Sequence, residues 1–160
     1  MKAASLALAL LCSGAALAAP VDGSADGRWR VEGQGHAVVV LDAGQPVKTL
    51  PARSLAGGES SAISAVRYLP QRRSFVIAFE TLPELWELSI DPQAPPVYDG
   101  LVHDFRMGEA VAAPGFLGVR RTPLAAAARS VAVDAGNNAH VLVLSARAWC
   151  SARYELRTSG

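Results

Sequence analysis

An all-β domain is predicted by two features of this 160-residue sequence. Short apolar and β-branched runs alternate with clusters of Gly, Pro, Asp and Asn. A C-terminal stretch also repeats an earlier one, strand for strand. Composition bounds the rest. With 14 acidic and 15 basic side chains, 18% charged residues and 6% aromatics, the chain is neither a disordered acidic tail nor a highly charged nucleic-acid binder. Its 2 cysteines exclude a disulfide scaffold and any Cys-rich zinc or iron–sulfur site.

The positive mean hydropathy is partly a leader. Met1-Lys2 starts it, Leu6 to Leu11 is apolar, and Ala16-Leu17-Ala18 is a small–x–small cleavage pattern. Residues 1–19 therefore read as a secretory signal peptide, cut after Ala18 or Ala19, which predicts a periplasmic protein of about 140 residues. A lipoprotein signal at Cys12 fits less well, because Leu11 stands where a small residue is wanted. No segment reaches the roughly 18 apolar residues of a transmembrane helix. Removing the leader takes Lys2 and Cys12, so the balance becomes neutral and Cys150 is a lone thiol, which reads as a small half-buried hydrophobe beside Trp149 or as a reactive site or intermolecular disulfide. Apart from Lys2 and Lys48, every other basic side chain among Lys and Arg is Arg, a skew that codon bias explains.

The elements follow in order. Ala19 to Gly27 reads as a flexible lead-in. Trp29 to Glu32 alternates, and Gly33 to Gly35 breaks it. His36 to Leu41, Asp42-Ala43-Gly44 and Val47 to Leu50 spell strand, turn, strand. Pro51 to Ser61 is a loop of small residues. Ala62 to Leu69, the turn Pro70 to Arg73, the apolar Ser74 to Glu80 and the alternating Glu84 to Ile90 supply three more strands. Prolines and glycines make Asp91 to Thr122 a long irregular excursion, and Leu124 to Ala128 reads as linker.

Val66 to Phe79 lies on Val131 to Leu144 without a gap, and Trp86-Glu87-Leu88 falls near Tyr154-Glu155-Leu156 after a short insertion. Repetition of short strands at this scale is the signature of propeller blades. The expected architecture is a partial β-propeller at residues 20–160, with about three blades' worth of antiparallel strands.

Gly-rich phosphate loops, the G-x-S-x-G elbow and H-E-x-x-H are absent, which removes nucleotide sites and the common hydrolases. His36 and His140 open apolar strands and read as pleat residues. His103 differs: Tyr98-Asp99-Gly100-Leu101-Val102-His103-Asp104 gathers a phenol, two carboxylates and an imidazole around a glycine. A neighbouring carboxylate orients an imidazole as ligand or base, whereas Asp104 in a turn caps it, and both readings stay open. Arg120-Arg121-Thr122-Pro123 reads as the turn closing the excursion. Its guanidiniums suit carboxylates such as those of a tetrapyrrole, although two solvated arginines explain it as well. Trp86 reads as core, and Phe105 as a loop anchor or a flat apolar surface.

The ordered segments Ser74 to Phe79, Pro83 to Leu88, Tyr98 to Glu109, Pro114 to Leu117 and Arg120 to Leu124 resemble the haem d1 propeller family. Within it they look most like the NirF-type proteins of haem d1 biosynthesis, relatives of the haem d1 domain of cytochrome cd-type nitrite reductase. The likeness covers about residues 37–124. It implies a periplasmic eight-bladed propeller that binds haem d1 or its dihydro precursor, late in cofactor synthesis, as the dehydrogenase forming the acrylate double bond. It implies nitrite reductase maturation proteins as partners, no nucleic acid, and a pocket drawn from His103, Asp104, Tyr98, Arg120 and Arg121. The family's essential histidine belongs to a more N-terminal blade and has no counterpart here, so catalytic residues stay unassigned. About three blades do not close a ring, which needs at least about four. That leaves a truncated frame, a self-associating arc, or a noncatalytic secreted β-rich interaction module as alternatives.

Overall fold

A computed structural model describes residues 19–54, 58–98, 112–145 and 151–156. The leader before Ala19, and His103, Asp104, Phe105, Trp149 and Cys150, lie outside the described residues. Three antiparallel sheets follow one another along the chain. The first holds β1 (Val21–Gly23), β2 (Trp29–Gln34), β3 (Ala37–Asp42) and β4 (Gln45–Pro51) in sequence order. Ala43 and Gly44, both at positive φ, form the tight β3–β4 turn, which matches the twist of paired strands.

The second sheet holds β5 (Ile63–Leu69), β6 (Ser74–Phe79) and β7 (Glu84–Ser89). The chain then makes a small hairpin, β8 (Val97–Tyr98) with β9 (Ala112–Ala113), and returns as β10 (Val119–Pro123) against β7. The third sheet holds β11 (Ala128–Val133), β12 (His140–Ser145) and β13 (Ser151–Glu155). The first strands of the three sheets, β1, β5 and β11, are neighbours in space and make the inner line of the arc. This is the partial β-propeller expected, with its three blades.

Burial explains why β6 is a continuous apolar run. Every residue of Ser74–Phe79 is buried, because the second sheet is covered on both faces. Phe75, Ile77, Phe79, Trp86 and Leu88 pack against Val31, Val38 and Val40 of the first sheet. Val76, Ala78 and Leu85 pack the other way, against Val131, Val141 and Val143 of the third. Polar stitches fix the spacing of the sheets. Asp22 Oδ2 accepts from the Tyr68 N–H at 2.7 Å, and Ser64 Oγ donates to the Ala128 carbonyl at 2.6 Å. Gln71 and Asn138 exchange two hydrogen bonds, at 3.0 and 3.3 Å.

Three local expectations change. The lead-in contains β1, because Val21, Asp22 and Gly23 pair with Glu32, Val31 and Arg30. Arg120-Arg121-Thr122-Pro123 is a strand and not a turn. Val119 to Pro123 pairs with Leu88 to Glu84 at the sheet edge, where a proline without an N–H is tolerated. The repeat is not gapless either. Val66 faces Ile77, but Val131 faces Val143, so the β11–β12 turn is one residue longer than its counterpart. Because strand faces alternate, this slip puts Val141 and Val143 inside in place of His140 and Leu142.

Candidate functional site

Strand direction decides which loops meet. β5 and β11 start at the same end of the arc, β6 returns to it, and the β2–β3 turn lies there too. At this end is a cavity of ≈ 910 Å³, within the about 300–1,000 Å³ typical of small-molecule sites. Ala19, Pro20, Ala62, Ile63 and Ala128 give it an apolar lining, with Gly33 from the end of β2 and Gly35 from the β2–β3 turn. Ser64, Glu80, Thr81 and Arg129 supply the polar groups.

Glu80 and Arg129 are exposed, and neither takes part in an ion pair or side-chain hydrogen bond among the described residues. Ser64 Oγ spends its proton on the Ala128 carbonyl, which leaves its lone pairs to accept. Arg129 therefore offers a free fork for a carboxylate, opposite walls of methyl and methylene groups. His36 follows Gly35 at this end and is exposed, with Nδ1 3.4 Å from Ser60 Oγ.

Gly33 sets the clearance between the first two blades. A Cβ built there would stand 2.8 Å from Ile63 Cβ, closer than side chains tolerate. Gly33→Ala is expected to cost about 1–3 kcal/mol by overpacking. A urea unfolding series would measure it, and a change under about 0.5 kcal/mol would show that the blades part without strain.

Few residues nominated from sequence stand here. The strand β7 runs away from the cavity, so the β8–β9 hairpin leaves from the opposite end, with Tyr98 67% exposed on it. His103 and Asp104, between β8 and β9 in the chain, lie outside the described residues. Arg120 and Arg121 sit on β10, the strand furthest from β5, about 14 Å away at normal strand spacing. As consecutive strand residues they point to opposite faces and form no common clamp. Arg121 is built into the sheet. Its guanidinium lies 4.3 Å from the centre of the Trp86 ring, donates to the Arg53 carbonyl at 2.9 Å and meets Glu84 Oε2 at 3.3 Å. Arg120 faces Glu87 across the β10–β7 ladder.

The lining residues Ser64, Glu80, Thr81 and Arg129 carry no motif, so sequence reasoning passed over them. The repeat held a signal: its first strands pair Ile63 with Ala128 and Ser64 with Arg129, and all four line the cavity.

No protein-family model matches the chain. Dihydro-haem d1 dehydrogenase of Pseudomonas aeruginosa is 44% identical over 70 residues, which are 41% of this chain and 14% of that protein. The solved structure of dihydro-haem d1 dehydrogenase NirN in complex with DHE overlays with a TM-score of 0.63 at 26% identity. That overlay covers 85% of this chain and 25% of the dehydrogenase, so the chain spans about a quarter of its relative. The chain is therefore similar to the haem d1 propeller family over part of that family's length.

Proposed function

We propose that this chain binds a tetrapyrrole of the haem d1 class, haem d1 or its dihydro precursor, in the cavity where the inner strands begin. The overlay of 85% of the chain on a NirN structure that holds DHE carries this reading. The residues present fit such a group. The cavity volume is adequate, its alanine and isoleucine walls suit a macrocycle edge, and Arg129, Thr81 and Ser64 suit acid and carbonyl substituents. When bound, the tetrapyrrole supplies iron and redox chemistry. The chain's own groups orient it and exclude water, and none of them is assigned a catalytic role.

In this reading the leader at 1–19 exports the chain to the periplasm. There it serves haem d1 biosynthesis, hence nitrite reductase maturation and denitrification, as part of an oxidoreductase of the dehydrogenase class. Maturation proteins of that reductase are the partners proposed.

Purified mature protein mixed with haem d1 should shift the visible spectrum of the macrocycle. Arg129→Ala is expected to weaken binding about tenfold, equivalent to about 1.4 kcal/mol, whereas Arg120→Ala changes it little. Equal loss in both variants, or none in either, would remove the cavity from the reading. If wild-type protein gives no shift, a noncatalytic interaction module is the better account.

A further inference from the structure

We infer that leader removal completes the cavity by placing the new α-ammonium group in its wall. The inference rests on the tetrapyrrole reading for its ligand and on the small–x–small pattern for its cut. Hydrolysis after Ala18 or Ala19 adds one water across the amide. The leader keeps the carboxylate, and the released chain gains the ammonium. A leader peptidase of the exporting cell performs this step.

Ala19 and Pro20, the two residues that would then begin the chain, both line the cavity. Neither starts a loose tail. The Gly33 N–H donates to the Pro20 carbonyl at 2.9 Å, and Val21 pairs with Glu32 in the β1–β2 ladder. Asp22, one residue further on, is tied to Tyr68 of the next sheet. The new terminus therefore stands one or two residues from backbone that is fixed on two sides.

The change in chemistry is large for so small a cut. In the precursor the Ala19 nitrogen is a neutral amide with one donor. In the mature chain it is a cation with an ordinary pKa of about 7.7–8.0, charged at neutral pH. The charged side chains lining the cavity are Glu80 and Arg129, and His36 is the neighbouring titratable group. Arg129 and the ammonium give two cations against one carboxylate, a wall suited to a ligand carrying more than one acid group. Ligand binding is thereby tied to processing: the exported, cut chain has the second cation and the precursor does not.

The test compares the full mature chain beginning at Ala19 in two forms, with a free and with an acetylated amine, using ferric haem d1 as probe. Absorbance titrations are run over about two pH units on either side of the amine's about 7.7–8.0. The free form should bind about tenfold tighter at neutral pH, and its advantage should fall as pH rises from about 8 and be lost by about pH 10, because a tenfold preference for the ammonium raises its pKa in the complex by about one unit. Glu80 and His36 are present in both forms, so the difference isolates the amine. Matching urea midpoints would show that acetylation leaves the fold intact. Equal affinities with one shared pH profile would overturn the inference and leave the tetrapyrrole reading standing. No binding by either form would overturn both. An exported chain that begins elsewhere than Ala19 or Pro20, by N-terminal sequencing, would overturn the inference at its first step.

Discussion

Trp86→Ala is expected to cost about 4 kcal/mol, within the about 3–5 kcal/mol of large aromatic deletions from a core. Trp86 is 1% exposed and holds three different contacts. Its ring meets Phe79 edge-on, with centroids 4.6 Å apart. Arg121 lies 4.3 Å over its face, and its Nε1–H donates to Glu84 Oε2 at 2.9 Å. Truncation opens a cavity between the first two blades and strips the Arg121–Glu84 pair of its support. Trp86→Phe keeps most of the apolar volume and loses the indole donor, so it should cost about 1–2 kcal/mol. Urea unfolding of the two variants checks the order. Equal losses would mean that the hydrogen bond, and not the packing, carries Trp86. A loss of about 4 kcal/mol is a large share of the about 5–15 kcal/mol that a domain commands.

The second large effect lies on the other face of the same strand. Glu87 is 6% exposed and grips Arg72 with both oxygens, at 2.7 and 2.8 Å, while Ser74 Oγ donates to it at 2.7 Å. The hydrogen bonds from Arg72 to Glu87 hold the guanidinium pKa above its ordinary value, so it stays charged at any working pH. Glu87→Ala removes the acceptor and leaves that charge largely desolvated. The expected cost is about 3 kcal/mol, the lower end for breaking a buried pair, because Arg72 keeps some solvent contact. Arg72→Met combined with Glu87→Leu should recover most of the loss, since an apolar pair of like volume avoids the desolvation penalty. A double variant as unstable as Glu87→Ala alone would show that the network is worth more than its burial costs.

Much of the blade pattern was legible because strand faces alternate with a period of two. Ser74 to Phe79 reads as a strand buried on both sides, and Glu84 to Ser89 as one with Trp86 inside. The edge strand β10 was not legible, because Arg120-Arg121-Thr122 has no apolar alternation and gains its conformation from the β7 ladder. The one-residue difference between the repeated hairpins was hidden for a related reason. His140-Val141-Leu142-Val143-Leu144 is apolar in either register, and only packing against Val76 and Ala78 selects Val141 and Val143 as the buried set.

The site was the least legible part. Tyr98 and the Arg120–Arg121 pair stand out in the sequence because polar clusters draw attention, yet the fold sends Tyr98 to the far end and seats Arg121 on Trp86. The cavity is made from single residues at strand ends 19 to 129 along the chain, each unremarkable in its own neighbourhood.

By itself the sequence determined the all-β class and the blade repeat, because these depend on local alternation and on residues kept in order along the chain. Tertiary structure alone decided which end of the blades holds the cavity. It also decided that Gly33, Glu80 and Arg129 meet there, beside Ala19 and Pro20. The physical reason is that strand direction and inter-sheet packing bring together positions far apart in the chain, and no local pattern of residues encodes that meeting.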